Sequence, residues 1–272
     1  MTEGESAALR AAEADRVNKR FAGVGAALGL ILWGGLFWLP LGIASGMVRK
    51  SHPSFGVFLG FLAMLSVVPG TLWVAKSAWG DQWHKALPLA PVSLGLLMWT
   101  ALGVLAQLPV VLAWFWTIDR TVGLPIFPDP LSSVGVLGLV LGAPLAEEVL
   151  FRGYGVARIR ELGGERRALL FTSLAFALCH GSWVKWPGTL AIGLFLGWLV
   201  LRTGSLWPAL MGHFINNGSA FVLGRLESVP FLESNPVSWT QIVAFVAVGV
   251  AGLALLWSPC VRRRISGLSA ST

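Results

Sequence analysis

Two adjacent glutamates, Glu147 and Glu148, interrupt an apolar stretch that runs from Val134 to Phe151. An ionised carboxylate at the centre of a bilayer costs roughly 2.5–3.5 kcal/mol on insertion scales, so such a pair needs partners and a purpose. Glu148 and Arg152 stand four apart, the spacing at which a carboxylate and a guanidinium meet on one helix face. Glu147 is expected to point about 100° away from Glu148, toward a different neighbour. The pair thus divides: one carboxylate held by arginine, one left for chemistry. Gly142-Ala143-Pro144 lies just ahead of it. Proline frees a backbone carbonyl and tends to kink a helix, which opens space for polar groups and water.

Two further pairs share this four-residue spacing inside apolar helices, Phe176 with His180 and His213 with Asn217. Asn216 faces elsewhere, in a position to bond across helices. The remaining histidines, His52 beside Pro53 and His84 beside Lys85, lie in polar connections with no constellation around them. Singly, each motif reads equally well as helix pinning or packing. Depth separates the readings. At 1.5 Å per residue, Glu147 lies roughly 16 Å from Arg158, His180 about 20 Å from Arg167, His213 about 14 Å from Gly204 and Asn217 about 20 Å from it. Four groups on three helices converge on one depth band, which unrelated structural residues have no reason to do.

The elements that must position these groups are membrane helices. The chain is 55% hydrophobic and only 12% charged, with a mean hydropathy of +0.72. That composition predicts an all-α, polytopic transmembrane helix bundle rather than a soluble globule. About eight spans are expected, near 21–46, 55–75, 88–117, 133–157, 168–184, 188–203, 206–224 and 238–259. They divide the chain into a tail at 1–20, a membrane domain at 21–259 with a core near 133–224, and a tail at 260–272. The first span is too long and too late for a cleaved signal peptide. The net charge of +7 would suggest nucleic acid in a soluble protein. Here it fits the excess of Lys and Arg on cytoplasmic loops, and no nucleic-acid partner is expected. With both tails inside, fifteen of the twenty basic residues fall on inward segments, against Arg49, Lys50, Arg120, Lys185 and Arg225 outward. Both termini are therefore expected in the cytoplasm. Cys179 and Cys260 are isolated, and Cys179 reads as a small packing residue beside His180.

Glu-Glu-x-x-x-Arg, Phe-x-x-x-His and His-x-x-x-Asn, in this order, resemble the CAAX-protease and bacteriocin-processing (CPBP or ABI) family of intramembrane endopeptidases. That family includes the type II CAAX prenyl endopeptidase. The resemblance covers about 133–224 and extends to Arg202-Thr203-Gly204-Ser205-Leu206-Trp207-Pro208-Ala209-Leu210. It implies that Glu147, with His180, activates a water against a scissile carbonyl, and that His213 and Asn217 stabilise the oxyanion. It makes Glu148 and Arg152 a supporting ion pair and Phe176 a packing residue. It implies a membrane-anchored or lipid-modified protein or peptide as substrate, and a bacterial inner (plasma) membrane location. The chemistry is self-consistent: a carboxylate base, a water and N–H donors are sufficient for amide hydrolysis.

Other intramembrane proteases are excluded by residue type. No His-Glu-x-x-His is present for a zinc site, and Asp15, Asp81, Asp119 and Asp129 all fall outside the spans. Ser205 stands at a helix start, but a serine mechanism leaves Glu147 without a role. No cofactor is expected. Zinc is the alternative, with Glu147, His180 and His213 as ligands. Zinc-bound imidazoles usually give their second nitrogen to a carboxylate or carbonyl, and the spacing commits Glu148 to Arg152 instead. Two other functions compete. A proton-coupled transporter would use Glu147 and His180 as a relay, but the paired repeats common in transporters are absent from this sequence. A non-catalytic scaffold or immunity protein would tolerate loss of Glu147.

Overall fold

A computed structural model describes residues 24–26, 28–35, 42–122, 133–227 and 238–256. The expected tails at 1–20 and 260–272, with their basic clusters, and Asp129 lie outside the described residues. Among those residues the chain is helical, with one isolated antiparallel bridge between Leu89 and Ser205. The helices are α1 (Val24–Gly35), α2 (42–49), α3 (Pro53–Trp79), α4 (Leu94–Val122), α5 (133–163), α6 (Glu165–Cys179), α7 (Trp186–Thr203), α8 (Trp207–Glu227) and α9 (Trp239–Leu256). A 3₁₀ elbow, Gly80–Ala86, follows α3.

Each of the eight apolar intervals contains helix, and among the described residues three helical stretches are long and apolar enough to cross a membrane by length and composition. These are Pro53–Ala86, Leu94–Ile118 and Trp186–Thr203. The chain is an integral membrane protein in its architecture: large apolar side chains such as Leu32, Met47, Trp73, Leu94 and Val243 face outward, while Glu148, Arg152 and His213 are buried. That is the inverse of a water-soluble fold, and it suits hydrocarbon as the outer solvent. Two boundaries differ from expectation. Residues 88–93 are not helical, because Pro88 and Pro91 disfavour the α region for the residues before them, Leu87 and Ala90. The helix of the fifth expected span, α6, stops at Cys179, not at 184, and the chain then turns through Gly181 at a φ of 67°. Cys179 is exposed rather than packed.

The polar connections sort onto two ends of the bundle. At one end Glu161 of α5 accepts the indole N–H of Trp79 at 2.9 Å and pairs with Arg158 at 3.3 Å and Lys85 at 3.6 Å. Leu206 there donates its N–H to Pro88 at 2.7 Å. The connections after α3, α5 and α7 therefore share one face, the three loops that charge counting placed together. At the opposite end, Trp114 of α4 donates to the Val184 carbonyl at 2.8 Å.

Small residues let the helices approach closely. A methyl at Gly249 of α9 would stand 2.6 Å from Val110 Cγ2, and one at Gly153 of α5 would collide with the Ala86 carbonyl. Such close backbone approach is the main source of helix association where lipid is as apolar as leucine. The α5 helix itself is irregular. It widens to π geometry over Gly138–Gly142 and again over Glu148–Gly155, with an α turn, Ala143–Glu147, between. Wide turns of this kind recur at functional sites.

Candidate active site

Glu148 is fully buried and doubly engaged. Its Oε1 accepts Arg152 Nη1 at 3.0 Å and His213 Nδ1 at 2.7 Å. The first contact is the ion pair that the i, i+4 spacing predicts. The second joins α5 to α8 and fixes the imidazole: with a carboxylate oxygen facing Nδ1, the proton sits there and Nε2 is left free. His213 is 2% exposed.

Glu147 is the contrasting neighbour. Its side chain is 22% exposed, and its Oε2 lies 3.7 Å from His213 Nε2, too far for a hydrogen bond. That oxygen has no hydrogen-bond partner among the described residues. The expectation of different neighbours is overturned: both carboxylates face the same imidazole, one at each nitrogen. Both glutamates keep αR torsions, so the shared contact comes from two long side chains reaching opposite edges of one ring.

Phe176 of α6 forms the hub between these groups. Arg152 Cζ stands 4.1 Å from its ring centroid, a cation–π distance. The ring also meets His180 at 4.7 Å, His213 at 5.6 Å and Phe151 at 5.6 Å, all at steep angles. His180 closes α6, and its Nδ1 lies 2.8 Å from the Phe176 carbonyl. An N–H donated there again leaves Nε2 free. No hydrogen bond joins His180 to Glu147 in this geometry. Asn217 donates from Nδ2 to the Leu139 carbonyl at 2.9 Å, and its Oδ1 accepts Asn216 Nδ2 at 3.1 Å. Asn216, expected to bond elsewhere across helices, instead braces its neighbour. Ser205 is buried and caps α8 by accepting the Trp207 N–H at 3.3 Å, so its hydroxyl is occupied locally.

Sequence reasoning missed three participants. Ser173 is fully buried three residues before Phe176, the spacing that could have flagged it. Gly193 of α7 abuts the arginine, since a methyl there would lie 3.4 Å from Arg152 Nη2. The Leu139 carbonyl was foreshadowed only by the nearby proline.

The metal alternative must also be revised. The expectation that Glu148 is spent on Arg152 alone fails, because the same oxygen serves His213. Both site histidines give Nδ1 to an oxygen, as zinc-bound imidazoles do. The donors themselves do not converge: among the described residues, no three His, Cys, Asp or Glu side chains are placed to hold a metal ion. The ligand set does not fit, and no step is drawn through a metal.

A cavity of about 430 Å³ lies elsewhere, between α1, α3 and the end of α5 that carries Arg158. The candidate groups lie instead on α5, α6 and α8: Glu147, Glu148, Arg152, Phe176, His180, His213 and Asn217. No curated protein matches the chain. A family model, that of type II CAAX prenyl endopeptidase Rce1-like proteins, matches residues 129–219, about a third of the chain, and every member of the cluster lies inside the match. Over these residues the chain is similar to that family of CAAX-type intramembrane proteases.

Proposed function

We propose that the protein is an intramembrane endopeptidase that hydrolyses a peptide bond near the carboxyl terminus of a membrane-anchored or lipid-modified polypeptide. The observation that carries this reading is the division between the two glutamates. Glu148 is fully buried and bonded through Oε1 to Arg152 and His213, while the Glu147 side chain is partly exposed and stands 3.7 Å from His213 Nε2, beyond hydrogen-bond reach. Glu147 takes a proton from a water as that water attacks the scissile carbonyl, and passes it to the leaving amine. His180 Nε2 accepts a hydrogen bond from the same water and orients it. The oxyanion receives the second N–H of Asn217 and, from the imidazolium form, the Nε2–H of His213. Arg152, Glu148 and Phe176 hold that ring in place.

The location that goes with this function is a bacterial inner membrane, with the face carrying Glu161, Arg158 and Lys85 toward the cytoplasm. The basic residues of the loops after α3 and α5 support that orientation. In a background lacking Cys179 and Cys260, a cysteine at Gly163 should resist an impermeant thiol reagent in intact cells and one at Lys185 should react. The reverse pattern would invert the orientation.

The decisive experiment compares the membrane peptidome of cells carrying wild type and Glu147→Gln. Carboxyl-terminal fragments present only with wild type are the expected result. Identical peptidomes, together with no cleavage by the purified wild-type protein of lipidated or membrane-anchored peptides, would reject the reading.

A further inference from the structure

We propose that Pro144 is a positioning residue for Asn217, acting through a backbone carbonyl that it leaves free, that of Leu139. The inference deepens the endopeptidase reading, in which Asn217 supplies an oxyanion donor. It begins with an accounting of hydrogen bonds in the first π turn of α5. The Ala143 N–H is donated to Gly138, five residues back. The Leu139 carbonyl has therefore lost its partner four residues on. Its partner five residues on is Pro144, which has no N–H. Both intrahelical donors are gone. At this depth no bulk water replaces them, and a bare carbonyl in hydrocarbon is costly.

Asn217 of α8 fills the gap, with Nδ2 at 2.9 Å from the Leu139 oxygen. The other end of the amide is fixed as well, because Asn216 Nδ2 donates to its Oδ1 at 3.1 Å. A flipped amide would set oxygen against the Leu139 oxygen and nitrogen against the Asn216 nitrogen. One orientation is allowed, and it leaves one Asn217 N–H uncommitted in a fixed direction. A preorganised donor of that kind is what oxyanion stabilisation needs. Pro144 is buried and donates no hydrogen bond itself. Its contribution is to keep the Leu139 carbonyl available, and with it the seat of the asparagine.

The consequence has an unusual sign. Pro144→Ala supplies the missing N–H, which can close the turn onto Leu139 and displace Asn217. A proline-to-alanine change that makes the helix more regular should slow the enzyme. The test is a double-mutant cycle of wild type, Pro144→Ala, Asn217→Ala and the double variant, read by Tm in detergent and by turnover. Asn217→Ala should lower Tm, and adding Pro144→Ala should recover most of that loss. Pro144→Ala alone should leave Tm equal or higher, cut kcat about tenfold or more with KM unchanged, and add nothing to the kcat defect of Asn217→Ala. Additive Tm changes, or wild-type kcat in Pro144→Ala, overturn the proposal. If Asn217→Ala cannot be purified, Asn217→Leu, which removes the same donor and fills its space, takes its place in the cycle with the same signs. The Tm arm needs no substrate, so it decides the latch even if the endopeptidase reading fails on its own test.

Discussion

Glu147 and Glu148 are neighbours in sequence, and the two halves of the site that they head are built on opposite principles. The half around Glu148 is dry: Glu148 and Arg152 are fully buried, His213 nearly so, and Phe176 stacks on the guanidinium. The half around Glu147 is open: its carboxylate is partly exposed, His180 presents a free Nε2, and Asn217 keeps a spare N–H. The dry half holds its charges away from solvent, joined through the single oxygen Glu148 Oε1; the open half reaches solvent at Glu147. His213 belongs to both, bonded to one carboxylate and facing the other. The contrast teaches that a site at membrane depth can separate its structural charge from its chemical charge within one turn of helix.

The sharpest way to break that comparison is to neutralise each glutamate in turn. Glu147→Gln keeps the shape and removes the base, so turnover should fall by roughly 10²–10⁴-fold while Tm stays near wild type. Glu148→Gln strips the arginine and the imidazole of their shared acceptor charge, so Tm and turnover should fall together. Matching profiles for the two variants in Tm and turnover would show that the division does not exist.

Arg152→Ala probes the dry half from its other side. It leaves Glu148 buried beside an imidazole alone, and loss of one partner of a buried pair typically costs about 3–5 kcal/mol. The double change Glu148→Gln with Arg152→Gln removes both charges and should regain part of that loss in denaturation experiments. A double variant no more stable than Arg152→Ala would contradict the ion pair. Gly193→Ala is the milder version. The new methyl would sit 3.3 Å from Ser173 Cβ and 3.4 Å from both Arg152 Nη2 and Phe176 Cδ1. Overpacking of this sort costs roughly 1–3 kcal/mol, and the Tm of the purified variant should drop accordingly.

The sequence carried the fold class and the membership of the cluster, because both rest on local rules. Apolar runs long enough to cross a bilayer mark the helices. Four-residue spacing foretold the Glu148–Arg152 ion pair and the Phe176–His180 contact. What it did not carry depends on backbone detail. The π turns in α5 have no simple sequence signature, and that both glutamates meet one ring depends on where α8 places His213. The Glu148–His213 bond spans 65 residues and follows only from how α8 docks on α5. Asn217 was legible as a donor but not as the partner of Leu139, although Pro144 announced that a carbonyl nearby would need one.

The smallest effect is expected from a chelator, and it tests the open half. His180 and His213 have their Nδ1 atoms anchored on oxygens, an arrangement that would suit zinc, and Glu147 stands beside His213 as a third donor. Zinc, however, requires all its nitrogen and oxygen ligands at roughly 2.0–2.2 Å from one point. Among the described residues no three such donors are so placed. Gathering them would mean moving Glu147, His180 or both from the places that packing gives them. Asn217, the remaining polar group, offers N–H rather than a lone pair and is already tied to Leu139. A water activated by Glu147 needs no such rearrangement. Treatment of the purified active protein with a strong zinc chelator should therefore change turnover less than about twofold, with zinc well below one ion per chain by elemental analysis. Near-stoichiometric zinc, with activity lost to the chelator and restored by zinc alone, would turn both histidines from hydrogen-bonding groups into ligands. The open half would then be a coordination sphere that closes only when loaded.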